Sequence, residues 1–301
     1  MNHSSVLRKL GFGATDRVVV INADDVGMCQ STLPAFFDLV DAGLVSSGSL
    51  MAACPWFPEA ARWCRRYPSV DVGIHLTLTS EWDGYRWGPV STCDPESGLL
   101  DPEGYFYRNQ SMWKNPDPQA IRLEMQAQVW RALKAGLDLT HIDCHMFANL
   151  VPVVVDHYVG LGFEQGVPVM MVRQPQWVEA LSEQAINEWE EQGLPVFDHL
   201  REMYLNETAA DRIGQAQKIF DELPPGLTYM LVHPALDTPE LKAMTDDWQQ
   251  RLADYETFLS SELRNHVHQC GIQVIGWRPL REAMQAATRP AAGQAKSLSG
   301  D

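Results

Sequence analysis

Positive charge is scarce in this chain. Its 301 residues hold 23 lysines and arginines against 39 aspartates and glutamates, a formal net charge of −16. That balance argues against nucleic acid or an anionic membrane as a partner, since both attract cationic surfaces. Long apolar runs are also missing. None approaches the roughly 18 residues of a membrane span, and Met1 to Arg17 has Arg8 and Lys9 without the apolar stretch of a secretory signal. Six scattered cysteines make no C-x-x-C pair. They read as free thiols in a reducing compartment rather than a disulfide framework, so a cytoplasmic setting is expected. No linker rich in glycine, serine or proline divides the chain, and no internal repeat is visible.

Short apolar runs do alternate with longer amphipathic stretches, the pattern of repeated βα units. Strands are expected near Arg17–Asn22, Ser47–Ala52, Val70–Leu76, Leu139–Cys144, Val167–Val172, Thr228–Val232 and Gln273–Trp277. Between them, Ser31 is placed to cap a helix over Thr32 to Ala42, which Gly43 stops. Asp117-Pro118 opens a second helix that Gly136 closes. A third should start at Asn206-Glu207-Thr208, and a fourth near Thr245, with Leu252, Tyr255, Leu259 and Leu263 on one face. The expected fold class is α/β, a single barrel of about seven parallel strands over residues 16–287. A doubly wound open sheet is the alternative, because strand order is invisible in a sequence. Residues 1–15 read as a flexible N-terminus and 288–301 as a disordered tail. The stretch 80–115 is too long for an ordinary connection and reads as an insertion over the site mouth.

The chemistry gathers at predicted strand ends, where α/β folds place their active sites. The run Val18 to Ile21 leads into Asn22-Ala23-Asp24-Asp25-Val26-Gly27, and two carboxylates after a buried strand are costly without a compensating cation. His75 stands at the end of the third strand, His141-Ile142-Asp143-Cys144-His145 ends the fourth, and His233-Pro234 ends the sixth. One carboxylate with two imidazoles makes a facial site for a divalent ion. A second carboxylate beside it suits a general base, and a further histidine suits an acid for a leaving amine. Asp24 and Asp25 are awkward neighbours, because adjacent strand residues point to opposite faces unless the strand has ended. His141, Asp143 and His145 alternate and so share one face, with Asp143 suited to orienting an imidazole.

At these motifs the sequence resembles the YdjC-like carbohydrate deacetylases, over Val18 to about Leu280. The carriers are Asn22-Ala23-Asp24-Asp25-Val26-Gly27, Gly73-Ile74-His75-Leu76-Thr77-Leu78-Thr79, Thr140-His141-Ile142-Asp143-Cys144-His145 and His233-Pro234. The resemblance implies a distorted TIM-like barrel that removes acetyl groups from N-acetylated sugars with one divalent metal, zinc or magnesium. It implies Asp24 as base, Asp25, His75 and His145 as metal ligands, and His233 as acid. Arg173 becomes a positioning residue, while His141 and Asp143 stand behind the ligands. Of the inserted aromatics, Trp82 and Trp87 are expected to stack on sugar rings. The substrate would be an oligosaccharide or glycolipid, and the resemblance leans towards a homodimer. Where such proteins continue with further histidines, this chain has Met146-Phe147-Ala148-Asn149. The residues by themselves leave open a metal-dependent hydrolase of another amide or a phosphoester, an idle sugar-binding barrel, and a glycosidase.

Overall fold

The computed structural model describes residues 5–205 and 210–288. Seven strands form one parallel sheet: β1 (Arg17–Val26), β2 (Ser47–Leu50), β3 (Val72–Leu76), β4 (Leu139–Cys144), β5 (His199–Glu202), β6 (Gly226–Val232) and β7 (Gln273–Val274). The order runs β4-β3-β2-β1-β6-β5. β1 sits at the middle because its β-branched residues, Val18 to Ile21, are buried and pair β6 from Arg17 to Ala23. Its other edge is divided. β7 pairs the lower half at Val18 and Val19, and β2 takes over at Asn22.

The expected barrel closes through residues 168–173. Ile142 N–H donates to Pro168 O and Met170 N–H to Ile142 O, while Arg173 N–H donates to Phe197 O and Phe197 N–H to Met171 O. These bonds join β4 to the segment leading into β5, so the ladder completes a ring. Val167–Val172 is therefore two isolated bridges, at Val169 and Val172, rather than the continuous strand expected there. Pro168 has no N–H to give, which breaks the ladder. The regular strand on that side is β5, whose His-Leu-Arg-Glu sequence has no apolar signature and is only half buried.

Helices cover the outside of the ring. Gly43, at φ 80°, closes the helix Thr32–Ala42 by donating to Leu39 O and Val40 O. Ser31 does not cap that helix with its side chain; its hydroxyl lies 3.2 Å from Cys29 Sγ instead. Asp117 does cap Pro118–Lys134, accepting from Gln119 N–H. The helix expected from Thr245 is broken in two, Trp248–Leu259 and Ser261–Gln269. Ser260 is extended there, and its side chain accepts from Glu262 N–H, starting the second helix afresh. The expected third helix is present as Arg212–Asp221, but its proposed start at Asn206 to Thr208 lies outside the described residues.

Within the stretch expected to be a flexible terminus, Ser5–Lys9 forms a short helix that buries Val6 and Leu7. Of the expected tail, Thr288 ends the helix Arg278–Thr288 and the remainder lies outside the described residues. No helix among the described residues is long and apolar enough to cross a membrane, and all six cysteines are free.

The ring's interior is layered. His141 lies deep in it, fully buried, stacked on Trp277 with centroids 4.6 Å apart and planes within 7°. A Cβ on Gly73 would sit 2.5 Å from that imidazole. Gly73→Ala is therefore expected to destabilise the fold by about 1–3 kcal/mol, as overpacking does, read as a lower denaturant midpoint at unchanged slope.

Candidate functional site

β1 delivers both aspartates to one cavity through an irregularity near its carboxyl end. The β1–β2 register shifts between Ala23 and Val26, and Asp25 adopts φ 61°. Aspartate tolerates that left-handed conformation better than most residues. The irregular residue breaks the alternation that would point the two carboxylates apart, and Gly27, at φ 88°, then turns the chain. Asp24 and Asp25 both line a cavity of about 370 Å³ at the carboxyl ends of the strands. His75, Asp143, His145, His233 and Trp82 line it too.

Asp25 is the centre of that group. Its Oδ2 accepts from the Arg251 guanidinium at 2.9 Å, and Arg251 is held in turn by Asp247 at 2.8 Å. Its Oδ1 lies 3.2 Å from His145 Nδ1 and 3.5 Å from His75 Nε2. Yet Oδ1 is buried and accepts no hydrogen bond. A carboxylate oxygen and two ring nitrogens at such separations have their lone pairs turned to a common point. Ligands about 2.0–2.1 Å from a tetrahedral ion are spaced about 3.3 Å apart. The residues present thus fit a divalent cation held by Asp25, His75 and His145.

The outer nitrogens are equally committed. His75 Nδ1 is 2.8 Å from Asp143 Oδ1, and His145 Nε2 is 3.0 Å from Glu81 Oε2. Each carboxylate fixes its ring with the inward nitrogen free. Asp143 is itself anchored, accepting from Ser49 Oγ at 2.7 Å, Tyr229 OH at 3.0 Å and Asn22 Nδ2 at 3.3 Å. Asn22 Nδ2 also donates to Asp24 Oδ1 at 2.7 Å, and Ser47 donates to Asn22 Oδ1. Asp143→Asn should therefore weaken metal binding about 10- to 100-fold, measured by competition with a fluorescent chelator.

Electrostatics separates the two aspartates. Burial pushes the Asp24 carboxyl up to about 8, helped by the neighbouring Asp143 charge. Burial also opposes ionisation of Asp25, but His145 and Arg251 outweigh it and hold that carboxyl well below its ordinary value. Burial works against charge on His145 as well, and the Glu81 and Asp25 carboxylates overcome it, lifting the ring to about 10. His75 is raised in the same way: burial opposes its charge, and Asp143 prevails.

Three of the expected residues stand elsewhere. Arg173 is not on the cavity; it donates to Asn187 at 2.7 Å and to Glu190 at 2.8 Å. His141 is in the layer below, where burial lowers its ring to about 4. Trp87 is buried within the insertion and donates to Thr79 O at 2.8 Å, so its indole faces are taken up by packing. Trp82, set edge-on against Trp87 and with the Arg251 guanidinium 5.7 Å from its ring centroid, is the tryptophan of the insertion that lines the cavity. His233 lines it as well, its ring lowered to about 4 by its buried surroundings and Nδ1 without a partner. Met146 and Phe147, in the stretch where the resembling proteins carry further histidines, form an apolar wall, both at positive φ.

Arg251 and Glu81 are neighbours of the site that the motifs do not mark, and Asn22, the first residue of the first motif, is given no role by the sequence. Demanding a cation beside the paired carboxylates asks for Arg251 in kind, but nothing in the sequence around Trp248–Leu259 marks it.

A model of the YdjC-like protein family matches residues 18–269. The chain belongs to the YdjC-like family. Among relatives of this YdjC-like chain, a protein from Thermus thermophilus named carbohydrate deacetylase is 30% identical over 294 residues, covering 93% of this chain and 99% of the relative. A carbohydrate deacetylase of Brevibacillus brevis is 27% identical, over 87% of this chain and 99% of its own length. Among solved structures, a putative cellobiose-phosphate cleavage protein from Enterococcus faecalis aligns with TM-score 0.75 at 21% identity, over 88% of this chain and 99% of that one. That likeness supports the YdjC-like fold and carries no substrate.

Proposed function

We propose that this chain is a metal-dependent carbohydrate N-deacetylase, hydrolysing the acetamide of an N-acetylated sugar to a free amine and acetate. The names of the relatives support the reaction class, and the buried, partnerless Asp25 Oδ1 between two imidazoles supports the metal. A divalent ion held by Asp25, His75 and His145, zinc or magnesium, would polarise the acetamide carbonyl and acidify water. Every other step falls to side chains. Asp24, beside the ligand set and oriented by Asn22, accepts the proton of the attacking water. A buried carboxyl with a raised proton affinity is a competent acceptor, and a cation in the neighbouring ligand set would favour its ionised form. Arg251 holds Asp25 in place, with Asp247 behind it. His233 is placed to hand a proton to the departing amine, a role that requires the substrate-filled site to raise its ring from the resting value of about 4, and Trp82 offers an indole face to the sugar ring. Residues 80–115 are the insertion over the site mouth, a reading supported by Glu81 and Trp82, which line the cavity. We assign residues 16–287 to the catalytic barrel, working in the cytoplasm, a setting the free cysteines support.

The test is acetate release from a panel of N-acetylated mono- and oligosaccharides, with and without chelator. Chelator-sensitive acetate release from at least one sugar is expected; phosphoester cleavage in its place would overturn the assignment. In that assay Trp82→Ala should raise KM with little change in kcat, the mark of lost ground-state binding.

A further inference from the structure

At the opposite end of the barrel from the catalytic cavity, three unlike donors converge. Asp221 ends the helix Arg212–Asp221, just before β6 begins at Gly226. His266 and Cys270 are four residues apart on one face at the end of Ser261–Gln269, just before β7 begins at Gln273. His266 Nε2 is 2.9 Å from Asp221 Oδ1, Cys270 Sγ is 3.4 Å from the same oxygen, and Sγ and Nε2 are 3.6 Å apart. Asp221 is exposed, and His266 and Cys270 are half-buried, so solvent reaches the group.

We propose that Asp221, His266 and Cys270 form an accessory site for a zinc-class divalent ion, with a fourth position left to water. Bonds of about 2.0–2.1 Å to nitrogen and oxygen and about 2.3 Å to sulfur give tetrahedral edges of about 3.3 Å between N and O and about 3.5 Å to S. The two edges to sulfur already match. The third is held at 2.9 Å by a hydrogen bond from His266 to Asp221 and opens by a few tenths of an ångström when the proton leaves. On binding, Cys270 gives its thiol proton to solvent, and the His266 proton moves from Nε2 to Nδ1. Thiolate, imidazole and carboxylate together select zinc, cobalt or cadmium over magnesium and calcium, which want oxygen alone. The ion would tie the helix before β6 to the helix before β7, stabilising the barrel by mass action.

The site is independent of the catalytic reading, and sulfur separates the two in an experiment. Asp25, His75 and His145 offer no sulfur, and Cys144, which lines their cavity, is kept in the variant, so sulfur-to-cobalt charge-transfer absorption that vanishes in Cys270→Ser reports the accessory site. The metal-stripped full chain should develop that absorption with cobalt(II) and lose it in Cys270→Ser. Zinc, but not magnesium, should slow alkylation of Cys270, located by peptide mass spectrometry alongside exposed Cys93 as an internal control. In His266→Ala the thiol remains, and zinc protection should weaken by at least the 10- to 100-fold that outer partners alone cost. Absence of the charge-transfer band, or zinc protection of Cys270 unchanged in His266→Ala, would overturn the proposal.

Discussion

Asp24→Asn is expected to lower kcat for deacetylation by about two to four orders of magnitude, while bound metal and the melting temperature stay near those of the parent. The substitution removes the proton acceptor and little else. An asparagine oxygen can still accept from Asn22 Nδ2, which lies 2.7 Å from the present carboxylate. The folded protein gives up no favourable charge either, because burial and Asp143 already push this carboxyl up to about 8. Stability should hold or rise slightly, since an amide escapes the burial cost of an ionisable carboxyl and, secondarily, the repulsion from Asp143. The combination discriminates. A variant that lost metal as well would make Asp24 a ligand, and one with near-normal acetate release would remove it from the reaction.

Asp25→Ala should do the reverse: metal lost, activity lost, and stability reduced by about 2 kcal/mol or more. Removing one partner of a buried ion pair costs about 3–5 kcal/mol, and Asp247 still holds Arg251, which lowers the figure. The ring nitrogens of His75 and His145 lose their common carboxylate neighbour at 3.5 and 3.2 Å. Both rings then lose part of the negative field that favours their charged form. Arg251→Met in the Asp25→Ala background should restore part of the stability without restoring metal. That outcome would place the stability loss on the stranded guanidinium and the activity loss on the missing ligand. Equilibrium denaturation and metal analysis of the two variants measure both effects.

How far these residues could be read from the sequence follows from the range of the signals. The β-branched run of β1 marks a buried strand, and the histidines and aspartates stand at strand ends because parallel strands present their carboxyl ends together. The adjacency of Asp24 and Asp25 stayed puzzling in one dimension. A register shift and one left-handed residue resolve it, and no local pattern announces either. β5 was missed because His-Leu-Arg-Glu is half-exposed and carries no apolar alternation. Val167–Val172 reads as a strand because it is apolar, yet Pro168 prevents a continuous ladder. Arg251 is invisible for a different reason: its partner is 226 positions away, and pairing at that range belongs to the fold. Trp82 and Trp87 looked alike in the insertion, and burial alone tells them apart.

A divalent ion held by Asp25, His75 and His145 is proposed to drive the hydrolysis. The most direct test uses metal-stripped protein carrying Cys270→Ser, so that binding at Asp221 and His266 does not confuse the count. Acetate release from a responsive N-acetylated sugar is then followed as metal is added back. The account predicts negligible release from the stripped protein and full recovery at one equivalent, with no recovery in His75→Ala at the same addition. Full activity in the stripped protein, or recovery that survives loss of His75, would contradict it.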